Sequence, residues 1–161
     1  MVLIEERLSS ETIYNGKIID VYREMARLPN GEEAVRELVC HSGGVCIVPL
    51  SNRGGVNYVT MVKQFRYPFK EVLLEIPAGK LEPDEDHRAA GLRELSEETG
   101  ATPKEFIYLG VTYPSVAYLD EKIHMYLATD LTFDKQNLDS DEFLDVYEIP
   151  FEDALKMVET G

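Results

Sequence analysis

Residues 79–101 read Gly79-Lys80-Leu81-Glu82-Pro83-Asp84-Glu85-Asp86-His87-Arg88-Ala89-Ala90-Gly91-Leu92-Arg93-Glu94-Leu95-Ser96-Glu97-Glu98-Thr99-Gly100-Ala101. Pro83-Asp84-Glu85 is an N-terminal helix signal, and Gly100 with Pro103 beyond it is a stop, so a helix is predicted over Asp86 to Thr99. At about 3.6 residues per turn, Glu94, Glu97 and Glu98 share one face, while Ala89, Leu92, Leu95, Ser96 and Thr99 lie roughly opposite. One face is expected to pack and the other to gather carboxylates.

An acidic face is also what a solvated surface helix presents, but two physical objections count against that reading here. Like charges at i,i+4, as in Glu94 and Glu98, cost a few tenths of a kcal/mol, and acids in the last turn face the negative end of the helix dipole. A divalent cation reverses the sign of that cost, because clustered carboxylate oxygens are the ligands of hard ions such as magnesium or manganese. Arg93 either makes a surface i,i+4 pair with Glu97 or holds a glutamate in place. Gly91 inside the helix costs about 1 kcal/mol relative to Ala, which points to a close helix-to-sheet approach.

On the N-terminal side of this stretch the chain reads as strands. Ile18 to Leu28 and Ala34 to Cys40 flank the turn signal Pro29-Asn30-Gly31 and predict a hairpin. Gly44 to Leu50, Asn57 to Phe65 and Glu71 to Ile76 are further strands, with Asn52-Arg53-Gly54-Gly55 as a turn. On the C-terminal side, Phe106 to Thr112, Lys122 to Ala128 and Leu144 to Ile149 are predicted strands, and a helix starts near Phe151. The class is mixed α/β with an N-terminal antiparallel β segment, residues 1–42, ahead of a main domain, residues 43–161.

With 161 residues and 44% hydrophobic content the chain suits one main core. Thirty acidic side chains against 16 basic ones give a formal net charge of -14. That field repels polymeric nucleic acid and anionic membrane surfaces, and any phosphorylated ligand needs cations or a few placed basic side chains to reverse the sign locally. No run approaches the roughly 18 apolar residues of a membrane span, and the N-terminus lacks the order of a signal peptide, so the expected compartment is the cytoplasm. Cys40 and Cys46 are expected as buried free thiols.

The 79–101 stretch resembles the Nudix box, G-x5-E-x7-R-E-U-x-E-E-x-G-U, at every fixed position; Ala101 is smaller than the usual last aliphatic. The resemblance implies an α/β/α sandwich on a mixed sheet and hydrolysis of a diphosphate. It implies Glu94, Glu97 and Glu98 as ligands of Mg2+ or Mn2+, the Ala78 carbonyl as a further ligand, and Arg93 orienting the glutamates. Gly79 would permit the turn that brings Ala78 to the metal, and Glu85 would support the loop. Leu74-Glu75-Ile76-Pro77-Ala78-Gly79-Lys80, preceded by Val62-Lys63-Gln64-Phe65-Arg66-Tyr67-Pro68, is similar to the ADP-ribose pyrophosphatase branch. In that branch the N-terminal β segment builds a homodimer, so residues 1–42 are expected to serve dimerisation.

The stretch Tyr113-Pro114-Ser115-Val116-Ala117-Tyr118-Leu119-Asp120-Glu121 resembles the branch's substrate loop, with Val116 and Ala117 where Pro-Gly is usual. That departure leaves the nucleoside sugar open. The resemblance implies an acidic catalytic base on a later loop, and Asp139-Ser140-Asp141-Glu142 is the comparable stretch, with Glu142 and Asp141 as candidates. Arg66 is the candidate phosphate contact, its planar fork matching phosphate oxygens. Arg27, Glu75, Ser115 and Glu121 complete the substrate-binding candidates; Arg23 could also reach across a dimer, and Tyr22 or Phe65 could stack on a base. The expected reaction is metal-dependent cleavage of a nucleoside diphosphate sugar, ADP-ribose first, giving AMP and ribose 5-phosphate. The alternatives are another nucleoside diphosphate derivative, a dinucleoside polyphosphate or nucleoside triphosphate, a non-catalytic ADP-ribose-sensing module, and a calcium-binding or structural acidic domain.

Overall fold

The computed structural model describes residues 3–140 and 142–160. Internal packing divides the chain into two units: residues up to Gly43 with Thr112–Ile123, and Gly44–Val111 with the chain from His124 onward.

The first unit is a three-stranded antiparallel sheet of β1 (Glu6–Asn15), β2 (Ile19–Arg27) and β3 (Glu33–His41), in the order β1-β2-β3. The predicted hairpin forms with Arg27 opposite Glu33 and Ile19 opposite His41. Its turn closes through the Gly31 amide donating to the Leu28 carbonyl at 2.9 Å, with Gly31 at φ 88°. β1 has no counterpart among the predicted strand runs. Every one of its residues is exposed, so its sequence carries no buried-face alternation. Ion pairs such as Arg7–Glu24 (3.4 Å) and Arg27–Glu6 (3.3 Å) line the β1–β2 pairing, each worth little at such exposure. The 112–123 segment joins β3 through a parallel bridge of Leu119 to Val39, in which the Val39 amide donates to the Tyr118 carbonyl at 2.7 Å.

The second unit is α+β with a mixed sheet. Its strands are β4 (Gly44–Arg53), β5 (Val56–Arg66), β6 (Glu71–Glu75), β7 (Ala78–Lys80), β8 (Ala101–Thr112), β9 (Ile123–Phe133) and β10 (Leu144–Pro150). The order is β10-β5-β4-β9-β8, with β6 on β5 and β7 on β4. Helix α1 (His87–Thr99) packs against β4 and β7, and α2 (Phe151–Thr160) against β5 and β10.

Val45 and Ile47 of β4, Ala90 and Leu95 of α1, Ala101 and Phe106 of β8, and Tyr126 and Ala128 of β9 form one buried core. Leu95 is fully buried, which is worth about 2 kcal/mol. Gly91 sits where a β-carbon would fall 2.9 Å from Phe106 Cζ, so the helix crosses the sheet at the close approach expected of it. Ala101 occupies a fully buried core position, where the box allows a larger aliphatic.

The helix packs differently from the expected pattern. Its buried residues are Ala90, Gly91, Glu94, Leu95, Glu98 and Thr99, whereas Ala89 and Ser96 are exposed. Glu94 and Glu98 therefore lie inside the fold, because β7 and the turn before it pack over the face expected to meet solvent. β8 starts at Ala101 and runs through Pro103. Both cysteines are free and half-buried, where full burial was expected.

Candidate active site

The site begins with the cap of α1. The Asp86 carboxylate accepts the amides of Arg88 and Ala89 at 3.0 Å each, which fixes the first turn. Gly100 ends the helix in the left-handed region at φ 71°, its amide donating to the Ser96 carbonyl at 2.9 Å. Between these ends the helix carries Arg93, Glu94, Glu97 and Glu98.

Arg93 is the hub. Its Nε and Nη2 donate to the two oxygens of Glu85 at 2.9 and 2.8 Å, and its Nη1 donates to Glu94 at 2.8 Å and Glu97 at 3.0 Å. The guanidinium pKa rises above its ordinary value, chiefly through the hydrogen bonds with Glu85, and Glu85 is held below the usual carboxylate range by Arg93. Arg93 therefore does both things considered for it: it pairs with Glu97 and ties the glutamates to the loop carrying Glu85.

The turn after β6 brings the backbone in from the other side. Pro77 is buried and its carbonyl accepts the Ile47 amide at 2.9 Å, while the Ala78 amide donates to Glu98 Oε2 at 3.0 Å. Gly79 lies in β7 opposite Val45. A β-carbon built on it would fall 1.9 Å from Glu94 Cδ, so close approach to Glu94 is the local demand for glycine. Burial raises the Glu94 pKa and pushes Glu98 up to about 8. The Ala78 amide pulls Glu98 down, and the carboxylates of Glu94 and Glu142 push it up.

Two carboxylates inside the fold, 8% and 3% exposed, are costly unless positive charge reaches them. Among the described residues no group of three or more His, Cys, Asp or Glu side chains closes on one point: Arg93 holds Glu94 and Glu97, and the Ala78 amide holds Glu98. The donor set nonetheless fits a hard divalent cation, since it consists of carboxylate oxygens crowded over a glycine. Such an ion would add positive charge beside the buried Glu94 and Glu98.

Arg66 grips Glu75 in a two-point pair, Nε to Oε1 at 2.8 Å and Nη2 to Oε2 at 2.9 Å. This pair raises the Arg66 pKa, and Glu98 and Glu142 act on it electrostatically as well. Glu142 thus lies within electrostatic reach of Glu94, Glu98 and Arg66. Asp141 falls outside the described residues.

All but one of the remaining candidates belong to the first unit. Arg27 pairs with Glu6 at 3.3 Å and Arg23 with Glu11 at 3.8 Å, and Tyr22 is half-buried. The Ser115 carbonyl accepts the Leu119 amide, and Glu121 sits 3.2 Å from His41 Nδ1. Phe65, in the second unit, is 52% exposed.

Two features escaped the sequence reading. Gln136 Nε2 donates to the Glu98 carbonyl at 2.6 Å, and the Asn137 amide donates to the Glu97 carbonyl at 3.0 Å. At the other end of α1, His87 stacks on His124 with ring centres 3.9 Å apart, and His87 Nδ1 lies 2.5 Å from the Tyr126 hydroxyl. Neither contact has a local sequence signal, since each joins residues far apart in the chain.

Residues 41–161 match the family model described as NUDIX domain, and residues 5–39 match one described as nucleoside diphosphate sugar hydrolase N-terminal domain. The chain is 44% identical over 160 residues to an ADP-ribose pyrophosphatase of Bacillus subtilis, covering 98% of this chain and 85% of that protein. It is 38% identical over 157 residues to a methanol dehydrogenase activator of Bacillus methanolicus, covering 96% of this chain and 83% of that protein. Among solved structures, the crystal structure of an ADP compounds hydrolase superposes with a TM-score of 0.83 at 22% identity, over 96% of this chain and 83% of that one.

Proposed function

The chain belongs to the Nudix family and is a pyrophosphohydrolase of that family, and from this premise we propose that it hydrolyses the diphosphate of a nucleoside diphosphate sugar, ADP-ribose first, to AMP and ribose 5-phosphate. The observation that carries the proposal is the burial of Glu94 and Glu98 beside Arg93 and the Ala78 amide. That much desolvated negative charge suits a site that takes up divalent cations and, through them, a diphosphate.

The ion we assign is Mg2+ or Mn2+, held by Glu94, Glu97 and Glu98 with the Ala78 carbonyl; when bound, it neutralises the diphosphate oxygens and polarises the phosphorus. The chain's own groups do the rest. Arg93 keeps the glutamates aligned, and Arg66, steadied by Glu75, takes a phosphate oxygen. Glu142, with Asp141 beside it in sequence, accepts a proton from the attacking water as its oxygen bonds to phosphorus. The bridging P–O bond breaks in line, and the second phosphate leaves as a monoester.

Arg27, Ser115 and Glu121 are assigned to the nucleoside sugar. Residues 1–42 are assigned to a homodimer, on the support of a wholly exposed β1 that carries Leu8, Ile13 and Tyr14. Light scattering on a size-exclusion column tests the dimer: a monomer at micromolar concentration rejects it.

A panel of nucleoside diphosphate derivatives incubated with Mg2+ and with Mn2+, read out by product identity, tests the substrate. AMP and ribose 5-phosphate from ADP-ribose are expected, and Glu97→Gln or Glu98→Gln should remove that turnover from a folded protein. Unchanged rates in those variants reject the ligand assignment. A second reading follows from the 38% identity to a methanol dehydrogenase activator: the same hydrolysis serves to stimulate a dehydrogenase, which is tested by adding the protein to a methanol dehydrogenase assay.

A further inference from the structure

The linker from β9 to β10 starts against the C-terminal end of the box helix. The Asp134 amide donates to the Gly100 carbonyl at 2.8 Å, the Gln136 side-chain amide to the Glu98 carbonyl at 2.6 Å, and the Asn137 amide to the Glu97 carbonyl at 3.0 Å. The last four carbonyls of an α-helix have no partner within the helix, and here the two belonging to box glutamates are met by one short segment. No basic residue stands in the last turn of α1, so these N–H donors occupy the place where a lysine or arginine usually meets the negative helix end.

The same segment continues directly into the loop carrying Glu142. That loop is turned by the Glu142 amide donating to the Asp139 carbonyl at 3.0 Å. Its outer side is loosely packed: Phe143 is 81% exposed, and Leu138, Phe143 and Leu144 border a cavity of about 410 Å³ with Lys63, Phe65 and Val72. The helix end is thus a hydrogen-bonded anchor next to an exposed loop.

We propose that Gln136 is a positioning residue for the hydrolysis. By donating to the carbonyl of Glu98 it pins the Glu142 loop to the helix that bears Glu94, Glu97 and Glu98, so that the group taking the proton keeps its register with the groups assigned to the divalent ion. The proposal rests on the reading of Glu142 as the base. Gln136 exchanges no proton and touches no substrate; its contribution is geometric, and misplacement by about 1 Å in such a constellation costs up to about a hundredfold in rate.

The test uses the full chain with ADP-ribose and Mg2+. Gln136→Glu keeps the length and replaces the donor by an acceptor facing a carbonyl. It should lower kcat by about ten- to a hundredfold, with KM within about twofold and a Tm lowered by a few °C, because a carboxylate then faces the negative end of the helix. Gln136→Lys, which restores a donor, should recover most of kcat. In a Glu142→Gln background Gln136→Glu should cost nothing further, because the residue it serves is already gone. Wild-type kcat in Gln136→Glu, or losses that multiply in the double variant, overturns the proposal. Wild-type kcat in Glu142→Gln alone overturns the base assignment and the proposal together, whereas an inactive Glu142→Gln beside an active Gln136→Glu removes only the latter. Should Gln136→Glu fail to fold, Gln136→Met, of similar length and without a donor, takes its place in each comparison.

Discussion

Gly79 lies so close beneath Glu94 that a β-carbon on the glycine would fall 1.9 Å from the glutamate Cδ and 2.0 Å from its Oε1. The atoms in the way are the far end of a side chain, so a methyl group at 79 can be accommodated if the Glu94 carboxylate swings aside. Gly79→Ala is therefore expected to fold, with a stability loss of about 1–2 kcal/mol, while turnover falls at least a hundredfold because Glu94 leaves both Arg93 and the position we assign to the metal. Circular dichroism melts beside ADP-ribose kinetics check this; a folded Gly79→Ala with normal kcat would show that Glu94 is not needed where it stands.

The contact between Gly79 and Glu94 also marks where sequence reasoning stops. The helix itself was legible: Asp86 caps it, Gly100 ends it at φ 71°, and the predicted span differs from His87–Thr99 by one residue. The clustering of its carboxylates was legible too, since three glutamates near a helix C-terminus oppose local electrostatics. The burial of Glu94 and Glu98 was not. Amphipathic periodicity assigns carboxylates to the solvent side, and only the fold shows β7 laid across them. β1 lay within the expected N-terminal β segment but was not delimited as a run, because a strand exposed along its whole length has no alternation to read, and Gln136 was missed because it meets Glu98 across 38 positions of sequence.

Glu98 lies 3% exposed, with the Ala78 amide on one oxygen. Gln at this position keeps an acceptor for that amide and removes the cost of burying a charge. Without added metal, Glu98→Gln should be as stable as the parent or more stable by about 1–2 kcal/mol, which is a rise of several °C in Tm for a chain of this size. Millimolar Mg2+ should raise the Tm of the parent and leave the variant where it was, since an ion stabilises only the state that binds it. A clear destabilisation of the metal-free variant would mean that the Glu98 carboxylate serves the fold rather than the site.

Glu75 holds Arg66 through two parallel hydrogen bonds of 2.8 and 2.9 Å. Lysine offers a point charge and no fork, so Arg66→Lys gives up the fixed plane while keeping the positive charge near Glu98 and Glu142. The expected result is a KM for ADP-ribose raised about tenfold and a smaller change in kcat, the pattern of a lost ground-state contact. Glu75→Gln should reproduce part of the effect by loosening Arg66. A kcat collapse at unchanged KM in Arg66→Lys would instead put Arg66 on the transition state.

In the first unit, Cys40 stands opposite Asp20 in the β2–β3 register, and its thiol is pushed up to about 11, first by burial, then by a hydrogen bond to Asp120, and further by the charges of Asp120, Asp20 and Glu24. Each of these favours the protonated form, so at pH 8 only about one thiol in a thousand is the thiolate that reacts. Alkylation by iodoacetamide, followed by mass spectrometry of the peptide containing Cys40, should run more than tenfold slower at pH 8 than on an unstructured thiol and keep rising with pH toward 11. Asp120→Asn removes the carboxylate charge but leaves an oxygen for the His41 amide, which Asp120 now accepts at 2.8 Å. The rate profile should then move to lower pH with the β3 attachment intact. A parent profile that levels off near pH 8.5, the ordinary thiol value, would mean that the carboxylates around Cys40 do not act on it.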